Sequence, residues 1–121
     1  MGKKAWLFMS ADYYPGILTQ ENAMKDYCVE NGIEVVGSTL SVHCGLYDES
    51  AIRMAIQRST ANECDLIMIQ EYSLLRYSPV IYMELLNIYL EYGVSIYALD
   101  CGNVYEHILK LMPEPLRKRL G

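Results

Sequence analysis

The sequence lacks the features that mark several classes of protein. It contains no C-x-x-C pair, and its four cysteines are irregularly spaced, which is typical of buried free thiols in a reducing compartment rather than of a zinc site. No segment reaches the roughly 18 apolar residues that cross a bilayer, and the first residues do not resemble a signal peptide. No G-x-G-x-x-G or phosphate-loop lysine motif is present, so no nucleotide is expected. We predict a cytoplasmic protein without a metal, a cofactor or a membrane partner.

Positive charge is scarce over most of the chain. Residues 1–109 hold six Lys and Arg against fourteen Asp and Glu, a net charge of −8, whereas residues 110–121 have a net charge of +3. An acidic surface repels the phosphates of DNA, and a basic tail attracts them. The short basic tail at 113–121 is therefore either a weak DNA contact or a solvated end with cations near a helix C-terminus. The length of 121 residues fits one domain, 1–121.

Short apolar segments alternate with segments of helical periodicity along the chain. Strands are predicted at 4–9, 33–36, 65–70 and 94–99. Helices are predicted near 18–31, 50–60, 79–92 and 103–112, with a turn at 10–16 and an irregular segment at 37–48. This alternation predicts an α/β fold, a three-layer sandwich with a mostly parallel sheet of four to five strands and helices on both faces, close to a flavodoxin-like arrangement.

The helix predicted at 79–92 has an unusually wide apolar surface. Its polar residues form one narrow stripe of Glu84, Asn87 and Glu91. A helix that covers one face of a sheet needs an apolar arc of only about 100°, so the surplus must be covered by another chain or by residues 103–121. Tyrosine is enriched in interface cores. We therefore predict self-association, with the candidate interface residues Tyr82, Leu86 and Tyr89.

Ser10 follows the first apolar strand directly. In an open parallel sheet, ligands and substrates bind at the carboxyl ends of the strands. Three further polar residues come at or shortly after the predicted ends of strands, namely Asp12, Ser73 and Asp100. Ser10 is therefore a candidate nucleophile or anion-binding group, while the alternative is that its hydroxyl satisfies the loop backbone. For Asp12 and Asp100 the alternative role is that of turn or cap residues.

Four segments carry a resemblance to a known family. In the strand Trp6-Leu7-Phe8-Met9-Ser10, the serine aligns with that of a Y-x-R-V-S pattern. Leu18 and Gln20 resemble a leucine and a glutamine that open the first helix, and the strands at 65–69 and 93–100 resemble two later ones. Together they resemble the catalytic N-terminal domain of serine recombinases, the resolvases and invertases. The resemblance implies that the Ser10 hydroxyl attacks a DNA phosphodiester and forms a phosphoseryl link, with Gln20 among the site residues.

The arginines of that family are mostly absent. Phe8 stands at the arginine position of the first strand, and the L-D-R-L-x-R segment reads Tyr72 to Tyr77, so that Ser73, Leu74 and Tyr77 replace the aspartate and the two arginines. Arg76 lies one residue from the second arginine position and is the candidate phosphate clamp. Since phosphoryl transfer needs several positioned cations, the resemblance implies a degenerate active site. Ser73 and Tyr77 remain candidate binding residues.

Three functions stay open at this point. The first is a serine-recombinase-like domain related to DNA recombination, unable to cleave DNA and acting as a homodimer, another homo-oligomer or a partner of a related recombinase. The second is an active DNA-cleaving enzyme that uses Ser10 and Arg76. The third is a small-ligand or anion-binding flavodoxin-like protein. We expect no separate DNA-reading module within this length, so any contact with DNA would use the basic tail or a partner.

Overall fold

The structure is a computed structural model that describes residues 2–42, 49–71, 83, 87–88 and 90–111. Strands and helices alternate along the chain. The elements are β1 (Lys4–Ala11), α1 (Tyr14–Glu30), β2 (Glu34–Val42), α2 (Glu49–Ala61), β3 (Leu66–Ile69), β4 (Ser95–Ala98), β5 (Gly102–Asn103) and α3 (Val104–Leu111). Residues 83, 87–88 and 90–92 are also helical. The basic tail lies outside the described residues.

The strands form one sheet in the order β2-β1-β3-β4-β5. The pairs β1–β2, β1–β3 and β3–β4 are parallel, and β4–β5 is antiparallel. Each parallel pair is joined through a segment that contains a helix, as parallel strands require. The predicted α/β fold with a mostly parallel sheet of four to five strands is confirmed.

Alternate residues of β1 point to opposite faces of the sheet and enter two different hydrophobic clusters. Trp6 and Phe8 pack with residues of α2, whereas Leu7 and Met9 pack with residues of α1. Every residue from Ala5 to Met9 is buried. Complete burial of such side chains contributes about 1.5–3 kcal/mol each. The strand is therefore the centre of a sandwich whose helices cover both faces, as predicted.

The first helix begins earlier than predicted. It starts at Tyr14 instead of near Leu18, because Pro15 occupies the first turn, where its missing N–H and fixed φ are tolerated. Tyr13 is the extended cap residue, and the Gly16 N–H donates to its carbonyl at 3.0 Å. Residues interpreted as a turn are therefore helical. The helix ends at Glu30, close to the predicted end at residue 31.

The second strand is much longer than predicted, and the prediction of an irregular segment at 37–42 was wrong. Gly37, the first residue of that segment, continues the strand and makes room for Trp6. A Cβ atom at Gly37 would lie 2.4 Å from Cζ3 of the Trp6 ring. The indole Nε1 of Trp6 donates to Oγ1 of Thr39 at 2.9 Å. A register shift of the β1–β2 pair lies beside this contact, between Ala5 and Trp6.

A short antiparallel strand, β5, was not predicted. Gly102 has a φ of +80°, which glycine adopts without strain, and this turns the chain back so that Gly102 pairs with Ala98. Asn103 then caps α3, since its Oδ1 accepts the N–H of Glu106 at 3.0 Å. The helix consequently begins at Val104, one residue after the predicted start.

Part of the predicted apolar helix at 79–92 is described, and its described residues from Met83 to Tyr92 are helical. Ile88 is 8% exposed and packs in the cluster on the α2 side of the sheet. Met83 and Leu90 are 59% and 71% exposed. The helix therefore buries one side and leaves large apolar side chains uncovered by the described residues. The predicted interface residues lie outside the described residues, namely Tyr82, Leu86 and Tyr89.

Candidate functional site at the carboxyl edge of the sheet

Ser10 is the penultimate residue of β1, at the carboxyl end of the strand, and is 5% exposed. The register places it beside Ser41 of β2, and Phe8 beside Thr39. Because neighbouring partners in a sheet share a face, Ser10, Thr39 and Ser41 bring three buried hydroxyls together on the α2 side. Sequence reasoning missed Thr39 and Ser41, because they fall in the segment taken as irregular. The sequence signal that could have revealed them was the alternation of hydroxyl and apolar residues over 39–42, which is typical of a strand.

Gln20 holds the backbone of Ser10 with both ends of its side-chain amide. Its Oε1 accepts the N–H of Ser10 at 3.0 Å, and its Nε2 donates to the Ser10 carbonyl at 2.7 Å. The first turns of α1 place Gln20 on the side of the helix that faces the sheet. The structure thus places Ser10, the candidate nucleophile, in hydrogen-bond contact with Gln20, the glutamine near the start of the first helix.

The reason for this contact is the short length of β3. The N–H of Glu34 donates to the carbonyl of Lys3, and the N–H of Asp65 donates to the carbonyl of Lys4, so successive peptide groups of β1 face β2 and β3 alternately. The peptide group of Ser10 is therefore on the β3 side. However, β3 pairs with β1 only at residues 5–7. The Gln20 amide takes the place of the strand that has ended, and satisfies a part-buried N–H and C=O.

Phe8 occupies the position two residues before Ser10, on the same face of the sheet. Its side chain is 1% exposed and packs among Ile52, Ala55 and their neighbours in the α2-side cluster. The position where the family resemblance expects an arginine is therefore part of the apolar core. A charged side chain at this depth would need a partner, because desolvation of an unpaired charge is costly.

Acidic residues follow three of the parallel strands at this edge. Asp12 comes after β1, Glu71 after β3 and Asp100 after β4. Because the carboxyl ends of parallel strands lie along one edge, this edge carries three carboxylates, and Asp12 and Glu71 are exposed. The remaining predicted site residues, Ser73, Arg76 and Tyr77, lie outside the described residues.

The described arginines are on α2. Arg53 and Arg58 are both exposed. Within the described ranges, no group of three or more His, Cys, Asp or Glu residues is placed to hold a metal ion. Burial raises the pKa of the Cys28 and Cys64 thiols, so these cysteines are poor nucleophiles at neutral pH.

A pocket of about 290 Å³ lies at the opposite, amino edge of the sheet. Its lining includes Lys3, Asn31, Tyr27 and Tyr97. The hydroxyls of the two tyrosines are 2.7 Å apart, and their ring centroids are 5.5 Å apart. The hydrogen bond to Tyr97 raises the pKa of Tyr27. This pocket is distant from Ser10 and from the strand ends where the sequence placed a ligand site.

Comparison with known proteins gives no match to a family model and none to a curated protein. Solved structures do match. A resolvase-family site-specific recombinase from Streptococcus pneumoniae superposes with a TM-score of 0.70 and 14% identity, over 98% of this chain and 93% of that one. The chain has the fold of serine recombinase catalytic domains.

Two further serine recombinase structures agree with that assignment of the fold. The C-terminal catalytic domain of ISC1926 TnpA, an IS607-like serine recombinase, has a TM-score of 0.65 at 16% identity, over 79% of this chain and 67% of that one. The N-terminal catalytic domain of TP901-1 integrase has a TM-score of 0.65 at 15% identity, over 81% and 78%. The fold expected from the resemblance to serine recombinases is confirmed. Among the described residues, no helix is long and apolar enough to cross a membrane.

Proposed function

We propose that this chain is a serine-recombinase-like domain related to DNA recombination, that it does not cleave DNA, and that it acts by associating with a second copy or with a related recombinase. The observation that carries the proposal is the burial of Phe8. A side chain that is 1% exposed in the apolar core stands where the resemblance requires a cation beside the nucleophile.

The chemistry explains why this matters. Attack of the Ser10 hydroxyl on a phosphodiester would place negative charge on the phosphate oxygens, and several positioned cations must stabilise that charge. Loss of one charge-stabilising donor lowers the rate by about a hundred- to a thousandfold. The sequence lacks most of the family's arginines, with Arg76 as the nearest replacement. Two such losses would multiply to roughly ten-thousandfold or more.

Charge supports the same conclusion. Residues 1–109 as a whole are acidic. A DNA-binding surface gains its affinity mainly from Lys and Arg contacts to phosphates. We therefore assign DNA contact, where it occurs, to the basic tail or to a partner.

Association is proposed through the helix at 79–92. Its described part leaves Met83 and Leu90 exposed while Ile88 is buried. Exposed apolar side chains in such number on one helix mark an interaction surface. Tyr82, Leu86 and Tyr89 are the residues that we propose for the core of this interface.

A second candidate is a DNA-cleaving enzyme that uses Ser10 as nucleophile and Arg76 as phosphate clamp. The observation in its favour is the double hydrogen bond from Gln20 to the Ser10 backbone, which fixes the position of the serine. Rigid placement of a nucleophile is what catalysis requires. The same contact is also explained by the end of β3, and the burial of Phe8 supports the first candidate.

The DNA part of the proposal is tested by fluorescence anisotropy with a labelled duplex, at low and at physiological salt. The full chain and a variant ending at Met112 are compared. We expect weak, salt-sensitive binding by the full chain and none by the shortened variant. Binding that survives the truncation and physiological salt would place DNA on the body of the domain and favour the second candidate.

The association part is tested by sedimentation velocity on the wild type, Leu86→Glu and Asn87→Glu. Asn87 is exposed and belongs to the polar stripe, so Asn87→Glu is a control that adds the same charge to the same helix. We expect Leu86→Glu to lower the average mass and Asn87→Glu to leave it unchanged. Equal masses for all three proteins would contradict self-association through this helix.

A further inference from the structure

We infer that the outer edge of β2 is a docking surface for a second copy of this chain, which adds its own β2 in antiparallel orientation with the two Leu40 residues opposite each other. The strand is nine residues long and lies at one end of the sheet. An outermost strand offers a row of backbone donors and acceptors to another strand. The inference goes beyond the proposed function, because it requires neither the helix at 79–92 nor DNA.

The direction of the peptide groups follows from the pairing of β1. Since Lys3 bonds to β2 and Lys4 to β3, the odd-numbered residues of β1 face β2. The register pairs Phe8 with Thr39, so Thr39 bonds to the residues on either side of Phe8. Alternate residues of β2 then turn their N–H and C=O groups away from β1, and these are Ser38, Leu40 and Val42.

The side chains of this segment also suit an interface. Leu40 and Val42 are 47% and 43% exposed. The only charged residue of β2 is Glu34, at its first position, and the strand contains no lysine or proline. Soluble proteins ordinarily protect long edge strands with charges, proline or bulges. Here the register shift lies opposite Ala5 and Trp6. Residues 38–42 therefore pair regularly with β1 and contain no charge, proline or bulge.

The segment 38–42 can pair with the same segment of a second copy. Antiparallel pairing centred on Leu40 places Leu40 opposite Leu40 of the second copy and Ser38 opposite Val42 of the second copy. The outward peptide groups of these residues then face each other and form about six hydrogen bonds between the chains. Glu34 lies beyond the paired segment, so no like charges stand opposite each other, and an apolar pair occupies the centre.

The geometry of the sheet limits this contact to two chains. Both copies use the same strand, so the contact has two-fold symmetry and covers the outer edge of β2 in each copy. At the other end of the described sheet, β5 has only two residues and offers little to a further strand. A second copy is thus the occupant that closes the edge, whereas an unrelated extended peptide would leave the self-complementary register unexplained.

The most direct test is amide hydrogen exchange of the intact chain, read residue by residue by NMR across about a hundredfold dilution. We expect the outward amides of Ser38, Leu40 and Val42 to exchange roughly tenfold or more faster in the dilute sample, by mass action. The inward amides of Thr39 and Ser41 bond to β1 and are the internal control. Equal exchange of the outward amides at all concentrations would overturn the inference.

Sedimentation of three variants provides a second readout. Ser38→Pro removes an outward N–H without removing a bond to β1, and Leu40→Lys places a charge at the centre of the contact. Val29→Lys adds the same charge to an 82% exposed position of α1 and is the control. We expect the first two to have a lower average mass than Val29→Lys and the wild type. Folded Ser38→Pro with the mass of the wild type would overturn the inference, whatever the result for Leu86→Glu.

Discussion

The contact between Gln20 and Ser10 leads to a quantitative prediction. Gln20→Ala removes two hydrogen bonds, of 3.0 and 2.7 Å, that satisfy the N–H and C=O of Ser10. Each such bond contributes about 0.5–1.5 kcal/mol, and a buried group left without a partner costs about 1–3 kcal/mol. Because the strand end is only part-buried, water replaces some of the loss. We expect the free energy of unfolding to fall by about 2 kcal/mol.

Urea denaturation followed by circular dichroism measures this change, since the midpoint falls while the slope stays constant for a two-state domain. The expected loss corresponds to roughly 6–10 °C in melting temperature for a chain of this size. Gln57→Ala is the matched control, because Gln57 is an exposed residue of α2 and alanine is the better helix former. Equal midpoints for Gln20→Ala and the wild type would refute the argument that this amide replaces a missing strand.

Three further predictions concern packing and titration. Gly37→Ala forces a Cβ atom to within 2.4 Å of the Trp6 ring and should lower the free energy of unfolding by about 1–3 kcal/mol, as measured by urea titration. The double variant Gly37→Ala/Trp6→Leu removes the indole, so its loss should be smaller than the sum of the losses in the two single variants. The hydrogen bond with Tyr97 that raises the pKa of Tyr27 stabilises the fold while Tyr27 is protonated, below the ordinary tyrosine pKa near 10. The free energy of unfolding should therefore fall as pH rises through and above that value, and Tyr27→Phe should flatten this fall. Burial and the raised pKa of Cys28 and Cys64 should make both thiols react far more slowly with iodoacetamide in the native chain than in urea, as peptide mass spectrometry would show.

The alternation of apolar strands and helices was enough to predict the architecture of the sheet. The first strand illustrates why: residues 5–9 are apolar without interruption, as expected of a parallel strand covered on both faces. The resemblance to serine recombinases rested on the same strand and on the segments that follow it. Both the fold class and the family of folds were therefore available before any coordinates.

Other features could not be predicted because tertiary contacts decide them. The predicted second strand stopped before Gly37, whereas in the fold this glycine accommodates the Trp6 ring and the strand continues. The hydroxyls of Thr39 and Ser41 were missed with it. The antiparallel β5 depends on two residues and a positive φ at Gly102, which is too short a pattern to detect.

The candidate site was predicted in part. Ser10 and Gln20 were named from their positions relative to the first strand and helix, and the structure brings them together. The sequence alone did not indicate that Gln20 contacts the backbone of Ser10, because this depends on where β3 ends. The roles proposed for Arg76, Ser73 and Tyr77 stay predictions.

One measurement tests the absence of cleavage most directly. The purified chain is incubated with a pool of nicked duplexes of randomised sequence, and the intact protein mass is determined, with Ser10→Ala in parallel. A phosphoseryl link would add the mass of an oligonucleotide to the chain. We expect the wild type and Ser10→Ala to keep their unmodified masses. An adduct on the wild type that is absent from Ser10→Ala would contradict the account and establish Ser10 as an active nucleophile.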